Sequence, residues 1–281
     1  MTELLKGKDV VEALNQRLAA EVKTLISAGV TPTLALVRVG ENPGDLAYER
    51  GAKKRAEAVG VTTLSYVFPQ EVSQEELMEA MVEINGRKDI HGALIFRPLP
   101  GHLDEEEIRM TLDPAKDVDG ITDGSMAGVY SHRALGFPPC TAEACMEILD
   151  HYGIALEGKK AVVLGRSLVI GKPVAMMLMA KNATVTLCHS KTQNPEALAK
   201  DADILIAAMG RGRSVGAEYF HKDQVIIDVG INVDEAGNLC GDVDTEEAMD
   251  KVAKITPVPG GVGTVTASLL MKHVIEAAKN Q

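Results

Sequence analysis

The sequence lacks tryptophan, and aromatic residues make up only 3% of its 281 residues. Such a chain has little aromatic surface for stacking on nucleic-acid bases. Its 29 basic residues are outnumbered by 40 acidic ones, and the net charge of −11 argues against a nucleic-acid-binding face. No apolar run approaches the roughly 18 residues of a membrane span. We therefore expect neither a nucleic-acid partner nor a membrane partner.

Cysteine is also scarce, with four residues that show no C-x-x-C spacing and no neighbouring histidine cluster. This usage favours idle thiols in a reducing compartment and predicts no metal site. The N-terminal stretch MTELLKGKDVVEALNQRL has the pattern of an amphipathic helix rather than of a signal peptide. The composition thus predicts a cytoplasmic globular protein of one or two domains.

Apolar runs of strand length alternate with helical patterns along most of the chain. This alternation predicts βαβ units and parallel sheets, arranged as two α/β lobes. In the first half of the chain, the continuous apolarity of these runs is typical of strands buried on both faces. One helix is expected over 44–59 and another after Ser73, where Glu76 completes a capping box. The expected strands are 33–39, 63–68, 92–100, 161–165, 183–188, 203–210 and 224–232. The stretch 113–141, rich in Gly, Pro and Asp, is expected to be a linker that carries a binding loop.

The stretch VVLGRSLVIGKPVA (162–175) leaves a predicted strand, turns at Gly165 and enters a helix. A glycine turn at a helix N-terminus can cradle an anion, because unpaired N–H groups and the helix dipole both face it. Gly165 and Gly171 alone do not make a G-x-G-x-x-G fingerprint, so a plain strand–turn–helix stays an alternative. Arg166 and Ser167 favour a phosphate site.

The next predicted strand ends in CHSKT (188–192), where Ser190 and Lys191 add two phosphate-binding groups. Domains that prefer NAD end this strand in an acidic residue, which binds the ribose 2′-hydroxyl. Serine and lysine here, with Arg166 nearby, instead suit a 2′-phosphate. The sequence therefore predicts NADP as the cofactor.

Several longer motifs occur in a fixed order over essentially the whole chain. They are HGALIFRPLP (91–100), KDVDG (116–120), FPPCT (137–141), GRSLVIGKP, NATVTLCHSKT, DVGIN and PVPGGVGTVT. In these motifs the chain resembles the methylenetetrahydrofolate dehydrogenase/cyclohydrolase family. The resemblance implies oxidation of 5,10-methylenetetrahydrofolate with NADP, a homodimer, and folate bound between the lobes. It also implies a folate-binding domain over 1–140 with 266–281, the C-terminal helix returning to it, and a Rossmann-like NADP-binding domain over 141–265.

The resemblance also assigns individual residues. Asp119 falls where the family holds the pterin ring and Tyr48 where it stacks a tyrosine on the folate, so these two are the candidate catalytic residues. Each would otherwise be read as a structural residue, in a turn and a helix respectively. Further implied substrate contacts are Phe96, Pro98, Leu99, Gly261, Val262, Gly263 and Val265. Implied cofactor contacts beyond Gly165, Arg166, Ser167, Ser190 and Lys191 are Ile170, Gly210, Ile231 and Thr266.

Two departures from the family pattern concern the hydrolytic step. The family's acid/base lysine follows its tyrosine by four residues, where this chain has Ala52. The glutamine that orients that lysine is Phe96 here. Lys53 and Lys54 lie about 100° and 200° around the helix from position 52, so neither points where Ala52 points. We expect the dehydrogenase to survive and the cyclohydrolase to be weak or absent.

Two alternatives remain from the sequence. The first is an ordinary bifunctional enzyme, which also makes 10-formyltetrahydrofolate and in which Lys53, Lys54 or another group restores hydrolysis. The second is a non-catalytic folate or dinucleotide sensor.

The additional bases Arg211 and Arg213 are either surface residues or ligands of a phosphate or of the folate's glutamate tail. Thr264-Val265 stands where the family has Pro-Met.

Overall fold

The computed structural model describes residues 1–280, which form two compact units. The six-stranded unit comprises 1–12 and 141–266, and the three-stranded unit comprises 13–140 and 267–280. The functional boundaries expected from the sequence stay a prediction. They differ from the packing units at the N-terminus, where 1–12 packs with the six-stranded unit.

The elements alternate between strands and helices as expected. The strands are β1 (Glu3–Leu4), β2 (Thr33–Val39), β3 (Thr62–Phe68), β4 (Gly92–Ile95), β5 (Lys160–Leu164), β6 (Thr184–Cys188), β7 (Ile204–Ala207), β8 (Val225–Asp228), β9 (Asn232–Val233), β10 (Leu239–Cys240) and β11 (Lys254–Ile255). The α-helices are α1 (Gly7–Ser27), α2 (Pro43–Val59), α3 (Gln74–Gly86), α4 (Glu105–Thr111), α5 (Asp123–Ser131), α6 (Cys140–His151), α7 (Gly171–Ala180), α8 (Pro195–Lys200), α9 (Thr245–Ala248) and α10 (Val262–Asn280).

The sheet of the six-stranded unit has the order β1-β11-β8-β7-β5-β6, and every neighbouring pair is parallel. Its inner strands β7 and β8 are buried along their whole length, as their continuous apolar runs predict. Parallel strands need crossover connections, and α7 supplies one between β5 and β6. The carboxyl ends of these strands meet at one edge, where open α/β sheets bind ligands.

The sheet of the three-stranded unit is also parallel, in the order β3-β2-β4. The central strand β2 is buried at all seven positions. The prediction of strands buried on both faces is wrong for β3, in which no residue is buried. Only one face of this strand is covered, since Leu64, Tyr66 and Phe68 pack against the core while Ser65 and Val67 are exposed.

Local signals set several helix ends. Asn42 caps α2 by accepting the Gly44 N–H at 2.8 Å, and Gly60 ends that helix with φ +87°. The expected cap of α3 is confirmed, since the Ser73 hydroxyl accepts the Glu76 N–H at 3.1 Å.

The C-terminal helix α10 returns to α1, where Lys279 Nζ lies 2.8 Å from Glu21 Oε2. Within residues 1–280 no helix is both long and apolar enough to cross a membrane.

The strands expected over 203–210 and 224–232 end early, at Ala207 and Asp228. Two further predicted segments also differ from the structure. The strand expected over 92–100 ends at Ile95, because Pro98 and Pro100 lack the N–H that would continue the ladder. The expected linker 113–141 contains α5, which begins after Thr122. The Thr122 hydroxyl accepts the Ser125 N–H at 3.2 Å. This N-cap stabilises the start of α5, although the apolar residues of the stretch are only weakly periodic.

Candidate active site

The turn between β5 and α7 is built around its two glycines. Gly165 has φ +125°, and a Cβ there would lie 2.1 Å from the Ala208 carbonyl oxygen. A Cβ on Gly171 would in turn lie 2.1 Å from the Gly165 carbonyl oxygen. The six-residue spacing is therefore required by close packing of strand, turn and helix.

Ser167 organises the same turn. Its hydroxyl accepts the Ile170 N–H at 3.1 Å, while Gly171 N lies 3.5 Å from the same oxygen. A cavity of about 460 Å³ opens in front of the turn. Of the predicted cofactor residues, Gly165, Arg166, Ser167 and Ser190 line it, and Ile170, Lys191 and Gly210 do not.

The charge of this cavity is positive. Arg166 and Arg211 both line it, and none of its lining residues, all of them among those described, is a carboxylate. Such a lining suits a phosphate-rich ligand, because two guanidiniums can each bind phosphate oxygens in a bidentate manner. The residues present therefore fit a dinucleotide, and a phosphorylated ribose in particular.

A second cavity, of about 260 Å³, lies at the end of β8 in the same unit. The predicted residues Ile231, Gly261, Val262 and Gly263 line it. Val265 is fully buried. The hydroxyl of Thr266 donates to the Gly263 carbonyl at 3.2 Å. The glycine-rich loop thus presents backbone to this cavity, while Val265 belongs to the protein interior.

Two buried aspartates hold the loops at this edge. Asp228 accepts the N–H groups of Gly230, Asp242 and Val243, each at 3.0 Å. Burial raises the pKa of Asp228 to about 6, against the lowering effect of these backbone donors. The carboxylate of Asp242 accepts the Gly210 N–H at 2.9 Å and the Arg211 N–H at 2.8 Å. The sequence alone does not indicate either role, because only the folded loops bring these N–H donors to the two carboxylates.

In the three-stranded unit, the KDVDG motif forms a tightly built loop. Lys116 Nζ donates to the Ile84 carbonyl at 2.7 Å, and Asp117 accepts the Thr122 N–H at 2.7 Å. A Cβ on Gly92 would lie 2.4 Å from Val118, so the HGALI strand is fitted to the motif. Four of the motif's five residues therefore hold the loop, since Gly120, at φ +69°, also packs against the FPPCT backbone.

The remaining residue of the motif, Asp119, has an unusual environment. Burial and the neighbouring charge of Asp117 raise its pKa to about 6, although Arg97 and a hydrogen bond from Cys140 act to lower it. Desolvation and the negative charge of Asp119 in turn raise the pKa of Tyr48 well above its ordinary value. The two predicted catalytic residues therefore lie close enough to interact, in one region of the three-stranded unit.

Tyr48 is 41% exposed, and its ring meets the Phe96 ring edge-on, with centroids 6.0 Å apart. Phe96 is 5% exposed and Leu99 9%. Pro98 follows a cis peptide bond after Arg97. A partly exposed tyrosine ring beside an apolar wall can stack against a flat ligand.

Position 52 itself carries no polar group. The Ala52 side chain is buried on α2, at 1% exposure. The neighbouring Lys53 places its Nζ 2.7 Å from Glu49 Oε1. Glu49 is also held by Arg38, whose Nε lies 2.8 Å from its Oε2. Lys53 therefore forms an ion pair with Glu49, one turn earlier on the helix.

The class of protein follows from these features. A parallel six-stranded sheet, a glycine turn into a helix, and a cationic cavity at the strand ends define an α/β protein with a dinucleotide-type site. The second unit adds a separate region in which an interacting tyrosine and aspartate lie beside apolar side chains.

Two family models match the chain. The catalytic domain of tetrahydrofolate dehydrogenase/cyclohydrolase matches residues 5–119, and the NAD(P)-binding domain of the same family matches residues 139–281. The chain belongs to the tetrahydrofolate dehydrogenase/cyclohydrolase family.

Individual relatives match over nearly their full length. The bifunctional protein FolD of Clostridioides difficile is 50% identical over 279 residues, covering 99% of this chain and 97% of the relative. The crystal structure of the bifunctional FolD enzyme of Campylobacter jejuni has a TM-score of 0.96 and 35% identity, over 100% of this chain and 99% of that chain. The methylenetetrahydrofolate dehydrogenase-cyclohydrolase of Trypanosoma brucei, complexed with NADP and an inhibitor, has a TM-score of 0.91 and 33% identity, over 99% and 98% of the two chains.

These comparisons confirm the expected family, the two α/β domains and a nicotinamide dinucleotide cofactor. The names of the relatives favour the bifunctional alternative over an enzyme limited to dehydrogenation. The missing lysine, the homodimer and the individual site residues stay predictions.

Proposed function

We propose that this protein oxidises 5,10-methylenetetrahydrofolate to 5,10-methenyltetrahydrofolate in one-carbon metabolism, with NADP as its cofactor. The observation that carries the proposal is the 50% identity to a bifunctional FolD protein over 99% of the chain. NADP, when bound, accepts the hydride. The side chains of the protein bind and orient the folate and the cofactor.

The cofactor's phosphates are assigned to the six-stranded unit. Arg166, Ser167 and Ser190 would hold the 2′-phosphate, and the Gly165 turn would admit the diphosphate close to the backbone. The cationic lining of the cavity supports this assignment, since an NAD-type site would place a carboxylate there. The proposed NADP-binding domain spans 141–265.

The folate is assigned to a domain of 1–140 with 266–281. Asp119 would accept paired N–H groups from the 2-amino-pyrimidine edge of the pterin, which requires its ionised form. Tyr48 would stack on the ring, with Phe96 and Leu99 as apolar walls. Tyr48 stays protonated at neutral pH, as an ordinary tyrosine does, and its pKa is raised further by desolvation and by Asp119.

Dehydrogenation needs positioning more than acid/base catalysis. The nitrogen next to the reacting carbon supplies the electron pair that stabilises the developing cation, so no titratable protein group is obligatory. Hydrolysis of the methenyl product is different. A placed acid or base typically contributes roughly 10²–10⁴-fold to such a step.

We therefore propose that the cyclohydrolase is weak or absent. Ala52 offers a methyl group where the family has its lysine, and Phe96 cannot orient a base. The contact of Lys53 with Glu49 supports the view that this lysine does not substitute. The bifunctional alternative, which the relatives' names favour, would require Lys54 or another group to supply the proton transfer.

The dehydrogenase is tested by mixing purified protein with 5,10-methylenetetrahydrofolate and NADP and following NADPH absorbance. Steady NADPH production supports the proposal. Formation of NADH from NAD, with no NADPH formed from NADP, would refute the cofactor assignment. A protein that binds both ligands without forming either reduced cofactor would be a sensor. Light scattering of the same sample tests the proposed homodimer.

A further inference from the structure

The cationic cavity holds more positive charge than the predicted phosphate ligands account for. Arg211 lines it together with Arg166, although the two follow different strands, β7 and β5. Neither guanidinium forms an ion pair with any described carboxylate, in a chain with eleven more acidic than basic residues. Two cations without carboxylate partners in one cavity indicate a ligand that brings its own negative charge.

The backbone that carries Arg211 is firmly fixed. Asp242 is fully buried, and its carboxylate accepts the N–H groups of Met209, Gly210 and Arg211. The Asp242 N–H is itself bound by Asp228 at 3.0 Å, and the Arg211 carbonyl accepts the Ser214 hydroxyl at 2.9 Å. Such a cradle holds the backbone of Arg211 in place beside the cavity, which lowers the cost of binding a ligand there.

Arg213, two residues further along, shows the contrasting arrangement. Its guanidinium lies 3.3 Å from Asp234 and 4.0 Å from Glu246, and it does not line the cavity. One arginine of the loop is thus already neutralised by carboxylates, while the other is presented to the cavity.

We infer that Arg211 is a second guanidinium for the cofactor's 2′-phosphate and so a specificity-determining residue for NADP over NAD. A phosphomonoester carries about −1.5 to −2 charges at neutral pH, more than one guanidinium neutralises. Arg166 and Arg211, approaching from different strands, would together balance it. The inference rests on the proposed use of NADP.

The test uses two small probes that differ only in the 2′-phosphate, 2′,5′-ADP and 5′-AMP. Their affinities are measured by calorimetry on the full-length wild type, on Arg211→Gln and on the matched control Arg213→Gln. We expect Arg211→Gln to weaken 2′,5′-ADP by about 10- to 100-fold, the range for losing a charge-assisted hydrogen bond. Its 5′-AMP affinity should stay within about threefold, and Arg213→Gln should leave both affinities near wild type.

Equal losses for both probes would overturn the inference, because Arg211 would then act on the adenine or the 5′-phosphate. No loss for either probe would overturn it as well. A wild type that binds 2′,5′-ADP no better than 5′-AMP would instead refute the proposed NADP preference itself. In turnover, the ratio of kcat/KM for NADP over NAD should fall by the same factor in Arg211→Gln.

Discussion

Lys53, the residue after Ala52, places its Nζ 2.7 Å from Oε1 of Glu49, which lies one helical turn earlier on α2. Glu49 also pairs with Arg38, and the side chains of Glu49 and Arg38 are both largely buried. Burial acts to raise the pKa of Glu49, but hydrogen bonds from Lys53 and Arg38 lower it on balance. The helix that carries Tyr48 is thus tied to β2 through a buried ion pair, and the lysine nearest position 52 is part of that tie.

Replacing Glu49 with glutamine should destabilise the protein by about 3–5 kcal/mol, because Arg38 would be left as an uncompensated buried charge. The measurement is the free energy of unfolding in urea. The matched variant Lys53→Met leaves the Arg38–Glu49 pair in place and should cost no more than about 1 kcal/mol. Equal costs for the two variants would show that Lys53, not Arg38, is the main partner of Glu49.

Adding a Cβ at Gly165 should damage both folding and cofactor binding. The Cβ of Gly165→Ala would lie 2.1 Å from the Ala208 carbonyl oxygen, at a φ of +125°. We expect a loss of more than about 2 kcal/mol in unfolding free energy, because a clash adds to the backbone strain. Gly153→Ala is the control, since Gly153 also has positive φ, but a Cβ there would meet nothing within 4 Å. A Gly165→Ala protein as stable as Gly153→Ala would contradict the packing role.

Folate binding should weaken as the pH falls through about 6. The pKa of Asp119 is raised to about 6 by burial and by Asp117. Above that pH the carboxylate is ionised and can accept two N–H groups, and below it protonation removes one acceptor. The KM for methylenetetrahydrofolate should therefore rise toward acid. In Asp119→Asn the KM should be high at every pH, and an unchanged acid inflection in that variant would reassign the titration to another group.

Restoring the family's residues should create hydrolysis. The double variant Ala52→Lys with Phe96→Gln should raise the rate of methenyl hydrolysis by about 100-fold, the lower end of what a placed acid/base contributes. Ala52→Lys alone should gain less, because the apolar ring of Phe96 would leave the lysine without an orienting partner. Ala58→Lys, at an exposed position of the same helix, controls for added charge. A double variant no faster than this control would contradict the assigned role of position 52.

Features of the fold that depend on local signals could be predicted from the sequence. The cap at Ser73 and the continuous apolar run of β2 each act within a few residues, so the sequence alone predicts them. The two-residue strands β1 and β11 could not be found this way. They exist because distant backbone segments pair with each other, as Glu3 does with Lys254.

The candidate site divides in the same manner. The Gly165 turn and the proposed phosphate ligand Ser190 follow from residue type and order. Asp242 reads as an ordinary loop aspartate, since its role depends on three N–H groups from another loop. Arg211 and Arg213 look equivalent in sequence, and only the folded loop separates the cavity residue from the one paired with Asp234.

The loss of cyclohydrolase activity is tested by supplying purified protein with 5,10-methenyltetrahydrofolate in the absence of any nicotinamide cofactor. Loss of the methenyl absorbance is compared with the uncatalysed rate, and NADP-dependent oxidation of methylenetetrahydrofolate serves as the positive control. We predict hydrolysis at the uncatalysed rate together with robust NADPH formation. Hydrolysis well above the uncatalysed rate would contradict the loss of cyclohydrolase activity and establish the ordinary bifunctional enzyme.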